Sequence, residues 1–246
     1  MRIVITFLFS LALFSQPAYA QFGDLLKKAS DSAKQLGGLG GTGDQLDISN
    51  GLKEALEIGV DSAVVQLSQV NGYMESPYKI LIPEEAKTVV GKLKHVPGFR
   101  DVEYKMTQKM NEAAELAVKK ATPVFVSAIK QMSFADAKEI LLGQDDAATR
   151  YLEKSSGSKL YEDFMPMIKA ALDEVDATKY WNSVVSKYNK LPLTKDVNEN
   201  LDDHVTQKAI SGLFGLIEVK ESGIRNDIGQ RTSPLLRDVF GQLDNK

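Results

Sequence analysis

The chain has 246 residues, with 30 lysines and arginines against 33 aspartates and glutamates, two histidines and no cysteine. The lack of cysteine excludes a disulfide framework, a thiolate metal site and a thiol nucleophile. The formal charge of -3 gives no global reason to expect nucleic acid, whose binding rests on a basic surface that neutralises phosphates, and leaves only local patches open.

Residues 1–20 have the three parts of a secretory signal: positive Arg2, an apolar run from Ile3 to Phe14, and a polar stretch ending in Ala18-Tyr19-Ala20. Small residues at the first and third positions before a cut fit the signal peptidase, so cleavage is expected after Ala20. The apolar run is shorter than the roughly 20 residues a membrane span needs. No later stretch approaches that length, so the mature chain is expected to be periplasmic or secreted, with no transmembrane segment. Removing Arg2 takes the charge from -3 to -4.

From Phe22 to Leu36 apolar residues recur at steps of three and four, the period of an amphipathic helix, with Lys27, Lys28 and Lys34 among them. The glycine-rich run from Gly37 to Gly43 then reads as a flexible tether. Residues 21–44 are thus a short helix on a leash, which docks on the main domain or makes a weak membrane contact through residues 22–36.

Residues 45–246 read as one compact all-α domain. Ser49 is expected to cap a helix to about Gln69, stopped by Asn71-Gly72. The stretch "YKILIPEE" is the one that looks extended, and Pro83 with Glu84 and Glu85 opens the next helix. Pro97-Gly98 breaks it, and a long helix is expected from Asp101 to Met132. Ser133 with Asp136 forms a capping box for a helix stopped by Gly143. Asp145 or Asp146 caps a short helix through Leu152, and another begins near Ser158, where Pro166 kinks it or restarts it. Trp181, Val184, Val185 and Tyr188 give a further stripe, up to Leu191-Pro192. The closing helices run from Val197 to Ser222 and from Ser233, the cap before Pro234.

Function has few footholds in these residues. His95 and His204 lack the Glu-x-x-His context of a helical di-metal site, because Lys92 and Leu201 stand three residues before them. No His-Glu-x-x-His, Gly-x-Ser-x-Gly or phosphate-cradling glycine loop is present, and no metal or cofactor is implied. Glu112 and Glu115 lie on the polar side of their helix, Glu112 three residues after Lys109 and Glu115 four before Lys119, as on a solvated face.

Together "SNGLKEALEIGVDSAV", "NEAAELA", "SFADAKEILLG", "AATRYL", "FMPMI", "GLFGLI" and "RTSPLLRDVFG" resemble a bacterial family of exported proteins catalogued as domain of unknown function family 4197. The resemblance implies a helical domain, exported and in many members lipid-anchored, with no assigned activity. This chain departs from it in lacking the anchoring cysteine. It also makes "NEAAELA" look like a family signature, in which Asn111 and Glu115 contact a neighbouring segment or a ligand and Glu112 is solvated.

The second polar signature is "ESGIRNDIGQRTSPLL". Arg225, Arg231 and Thr232 precede a helix start, whose free N–H groups favour an anion such as a carboxylate or phosphate. Alternatively each arginine pairs with an acid of the protein, for which Glu115, Glu221 and Asp227 are available. The sharpest form of this expectation pairs Glu115 with Arg225 or Arg231.

The resulting reading is a non-catalytic periplasmic binding or interaction module, whose partner is a small molecule or an envelope protein. Two alternatives stand beside it: a helical carrier of an apolar or lipid ligand, with Met106, Met110, Met132, Met165 and Met167 lining an adaptable cavity, and an enzyme using carboxylates and arginines in a polar cleft.

Overall fold

A computed structural model describes residues 43–84, 87, 90–91, 100–174, 178, 181–182, 185–186 and 200–244. The expected signal, the amphipathic segment, the Pro97-Gly98 break, His95, Val184, Tyr188 and the Leu191-Pro192 boundary lie outside these residues. The chain divides into two compact units, Met1–Leu46 and Asp47–Lys246, and all that follows concerns the second.

The described residues form seven α-helices and no strand: α1 (Gly43–Leu67), α2 (Val102–Val118), α3 (Ala121–Gln131), α4 (Phe134–Leu142), α5 (Ala147–Glu174), α6 (Leu201–Asn226) and α7 (Pro234–Gly241), with a 3-10 turn at Ile228–Gln230. The all-α expectation therefore holds. Helices α5 and α6 pack along one another at the centre, with α2 against both and α3 against α5. Their apolar stripes meet in a core that includes Phe125, Leu152, Leu160, Phe164, Leu213 and Trp181, all fully buried. The Phe125 and Phe214 rings meet edge to face at 5.6 Å, a favoured aromatic arrangement.

Several boundaries differ from the sequence expectation. Helix α1 starts at Gly43, so Ser49 lies inside it and caps nothing. The long helix expected from Asp101 to Met132 is two helices. Pro123 has no N–H to give and its ring would crowd the carbonyl of Lys119, so the chain breaks at Lys119–Lys120 and restarts with Pro123 in the first turn of α3. The opposite happens at Pro166, where α5 runs unbroken past it. Pro166 and Glu162 are both exposed, so the carbonyl that the proline leaves free lies on the solvent side of the helix. Helix α6 starts at Leu201 and extends to Asn226, beyond the expected Ser222.

Two caps stand where the sequence places them. Ser133 Oγ accepts the Asp136 N–H at 3.2 Å while Asp136 accepts the Ser133 N–H at 2.9 Å. Ser233 Oγ accepts the Leu236 N–H at 3.1 Å, with Pro234 as the first helical residue.

Two glycines of α6 make room for the segment after α1. A Cβ at Gly212 would lie 2.9 Å from Tyr78 Cβ and 3.1 Å from Tyr73 Cε1, and one at Gly215 would lie 2.8 Å from Tyr78 Cε1. Gly59 of α1 has no such duty, since the nearest atom to its added Cβ is Lys220 Cβ at 3.8 Å. Gly59→Ala is therefore expected to raise the unfolding free energy by about 0.5–1 kcal/mol through helix propensity, whereas Gly212→Ala lowers it. Denaturant unfolding of the two variants checks the contrast.

Candidate functional site

The polar residues singled out in the sequence are brought together in two clusters, and each cluster binds main chain. In the first, Asn111 of α2 is fully buried. Its side-chain oxygen accepts the Ile80 N–H at 2.8 Å and its amide donates to the Ile80 carbonyl at 2.8 Å and to the Thr107 carbonyl at 2.6 Å. An asparagine side chain matches a peptide group in its donor and acceptor, so Asn111 pairs with the extended segment as a neighbouring strand would. Ile80 and Ile82 point into the core while Lys79 and Leu81 face outward, the alternation of an extended chain.

One turn further along α2, the buried Glu115 carboxylate accepts the Asn71 N–H at its Oε2 and the Tyr73 N–H at its Oε1, each at 3.2 Å. Asn71, in the turn after α1, has φ of 64°, the left-handed conformation that asparagine tolerates in turns. This turn directs its amides at one acceptor, and a carboxylate fills it. Tyr73 then runs into the core and donates its hydroxyl to the Ala209 carbonyl at 2.7 Å. Glu112 stays on the surface, bound to Lys109 at 2.7 Å, as expected.

Burial pushes the Glu115 carboxyl above its ordinary range, and the Glu112 charge adds to this, while the amides of Tyr73, Asn71 and Met74 pull the other way. A carboxyl raised on folding contributes stability that is fully present below its unfolded pKa and is lost as pH rises through the folded pKa. The stability of the wild type relative to Glu115→Gln is thus expected to grow as pH falls from neutral into the carboxylate range. Paired unfolding curves across that range check the sign. Carboxyls held low, such as Asp136 and Asp244, occur in both proteins and cancel.

The second cluster gathers on the C-terminal half of α6. Glu221 accepts the N–H groups of Ala148 and Thr149 at 2.9 and 2.8 Å and the Thr149 hydroxyl at 2.8 Å. It thereby caps α5, the role expected of Asp145 or Asp146. Asp146 instead pairs with Arg150 at 2.9 Å. Arg225 bonds Glu221 at 2.9 Å and donates to the carbonyls of Ile140 and Leu141 at 2.8 and 3.2 Å. Those two carbonyls end α4, so one ion pair closes two helix termini. The Arg225 guanidinium also lies 5.9 Å from the centre of the Phe240 ring, within cation–π range.

Arg231 performs the same task at the end of α6, donating to the carbonyls of Ile224 and Arg225 at 3.0 and 2.8 Å. Its two Nη groups grip Asp244 at 2.6 and 2.8 Å. Asp244 was not singled out in the sequence, and nothing in its local pattern marks it.

The expected pairing of Glu115 with Arg225 or Arg231 is therefore not formed. Glu115 is taken by backbone amides, Arg225 by Glu221 and Arg231 by Asp244. Thr232 is exposed at the start of the turn into α7. His204, in the first turn of α6, has its Nε2 at 3.0 Å from the Leu81 carbonyl, a further hold on the extended segment. Met106, Met110 and Met132 are buried core residues.

Between α1, α6 and α7 a cavity of about 20 Å³ is bordered by Leu52, Leu56, Ile217, Ile224 and Phe240, with the Glu221–Arg225 pair in its wall. That is room for about one water molecule. Among the described residues no cluster of histidine, aspartate and glutamate is arranged to hold a metal ion, and no helix is long and apolar enough to cross a membrane.

No curated protein and no solved structure matches the chain. A family match runs from the first turn of α1 to the end of α7: residues 42–241 fit the model of the family described as protein of unknown function, DUF4197, and the chain belongs to that family.

Proposed function

We propose that the domain is a non-catalytic binding or interaction module of the cell envelope. The observation that carries this reading is the use of its buried charges. Glu115, Glu221, Arg225 and Arg231 are all buried, and each is engaged with main-chain groups or with an opposite charge of its own fold. Catalytic acids and bases need a polar atom aimed at space a substrate can fill. Glu221, Arg225 and Arg231 instead fix the ends of helices and Glu115 fixes the turn that follows α1, which yields a rigid scaffold. The signal-like residues 1–20 support placement in the envelope.

A rigid helical scaffold of this kind meets its partner through its outer faces. Chemical cross-linking in intact cells, followed by mass spectrometry of the captured chain, is expected to find a second polypeptide at fixed stoichiometry. A lipid or small organic molecule retained by the native protein, with no second polypeptide, would contradict the reading and favour a carrier.

A further inference from the structure

The Arg231–Asp244 contact differs from the other fasteners. Arg231 is 2 % exposed in its side chain, whereas the Asp244 side chain that it grips is 37 % exposed. The guanidinium is thus fixed inside the protein, held by two helix-end carbonyls, and its two outer donors face a carboxylate that is open to water. Arg231 lies within the family match, which ends at residue 241, and Asp244 lies beyond it. Leu243, next to Asp244, packs partly buried against the core. The last described residues therefore offer the scaffold an apolar side chain followed by an acid, and the scaffold receives both.

We propose that Arg231 is the floor of a carboxylate-binding site for which Asp244 acts as a tethered internal ligand, and that the partner it takes is a peptide segment bearing an acidic residue after an apolar one. Arginine is suited to the task because its planar fork meets a carboxylate with two parallel bonds. Here the fork is preorganised by the carbonyls of Ile224 and Arg225, so little freedom is lost on binding. The nearby Asp227 also bears on the Arg231 charge, but its carboxylate is engaged in its own turn, accepting from Gly229 N–H and the Gln230 amide. A tethered carboxylate competes at an effective concentration of millimolar or more, so the segment 242–244 keeps the site closed until a partner displaces it.

The identity of the partner rests on the reading of the domain as an interaction module, but the site itself is tested on the purified chain alone. The probe is a blocked peptide with this chain's own sequence, Gly-Gln-Leu-Asp, with Gly-Gln-Leu-Asn as control and acetate as a free carboxylate. The measurement is the side-chain Nε–H resonance of Arg231 in the full chain carrying Asp244→Ala, or Asp244→Asn should the alanine variant not fold. The aspartyl peptide is expected to move that resonance saturably, the asparaginyl peptide not, and the wild-type chain is expected to require about tenfold more peptide. Acetate moving the resonance as tightly as the peptide would keep the carboxylate site and assign it to free small carboxylates. No saturable shift with either probe in the Asp244 variant, or equal shifts in variant and wild type, would overturn the proposal. A failure of the cross-linking experiment leaves this result unaffected.

Discussion

Replacing Glu221 with alanine is expected to lower the unfolding free energy by about 3 to 5 kcal/mol, the cost of stranding one member of a buried ion pair. Both partners are buried, and the damage extends beyond Arg225. The N–H groups of Ala148 and Thr149 lose their acceptor, so the first turn of α5 loses its cap at the same time. In many proteins an apolar replacement of both charges recovers much of such a loss. Here the double variant Glu221→Met with Arg225→Met is expected to recover little, because the Leu141 carbonyl then loses its donor and the Ile140 carbonyl keeps only the Gly143 N–H. Urea unfolding monitored by far-ultraviolet circular dichroism measures all three proteins. A double variant as stable as the wild type would show that the pair serves only itself.

Asn111→Leu is the second change with a large expected effect. Leucine repeats the branched shape with larger methyl groups and offers neither donor nor acceptor, so both main-chain groups of Ile80 are left unpaired in a buried setting. At about 1–3 kcal/mol for each unpaired group, the loss is about 2–6 kcal/mol. The same change frees the segment that seats Tyr73 and Tyr78 against Gly212 and Gly215. Loss of the tyrosine near-ultraviolet signal before global unfolding would report that release, and Asn111→Asp separates shape from bonding, since it keeps the volume but lacks the donor to the Ile80 carbonyl.

What the sequence discloses follows the distance over which each determinant acts. Ser133 with Asp136, and Ser233 with Pro234, operate within one turn, and both caps stand as the pattern implies. The effect of a proline depends on which side of the helix it occupies. Pro166 faces solvent and leaves α5 whole, while Pro123 sits where a new helix starts. The fasteners act over long separations. Glu221 reaches Ala148 and Thr149, and Glu115 reaches back to Asn71 and Tyr73. A lone acid and a lone main-chain amide share no sequence pattern. Charge complementarity pointed Glu115 to an arginine, yet the turn at Asn71 supplies converging N–H groups that satisfy a carboxylate without any cation. The acid that does meet Arg225, Glu221, lies one helical turn before it, where sequence spacing makes it visible.

The central claim is that the polar signatures of this family member fasten its main chain, and native-state hydrogen exchange tests it most directly. The amides of Ala148 and Thr149 lie in the first turn of a helix and have no acceptor within it, so unaided they would exchange quickly. Held by Glu221, they are expected to exchange only through global unfolding, together with the Ile80 amide held by Asn111, and to become fast in Glu221→Ala and Asn111→Leu respectively. Rapid exchange of Ala148, Thr149 and Ile80 in the wild-type protein would contradict the account.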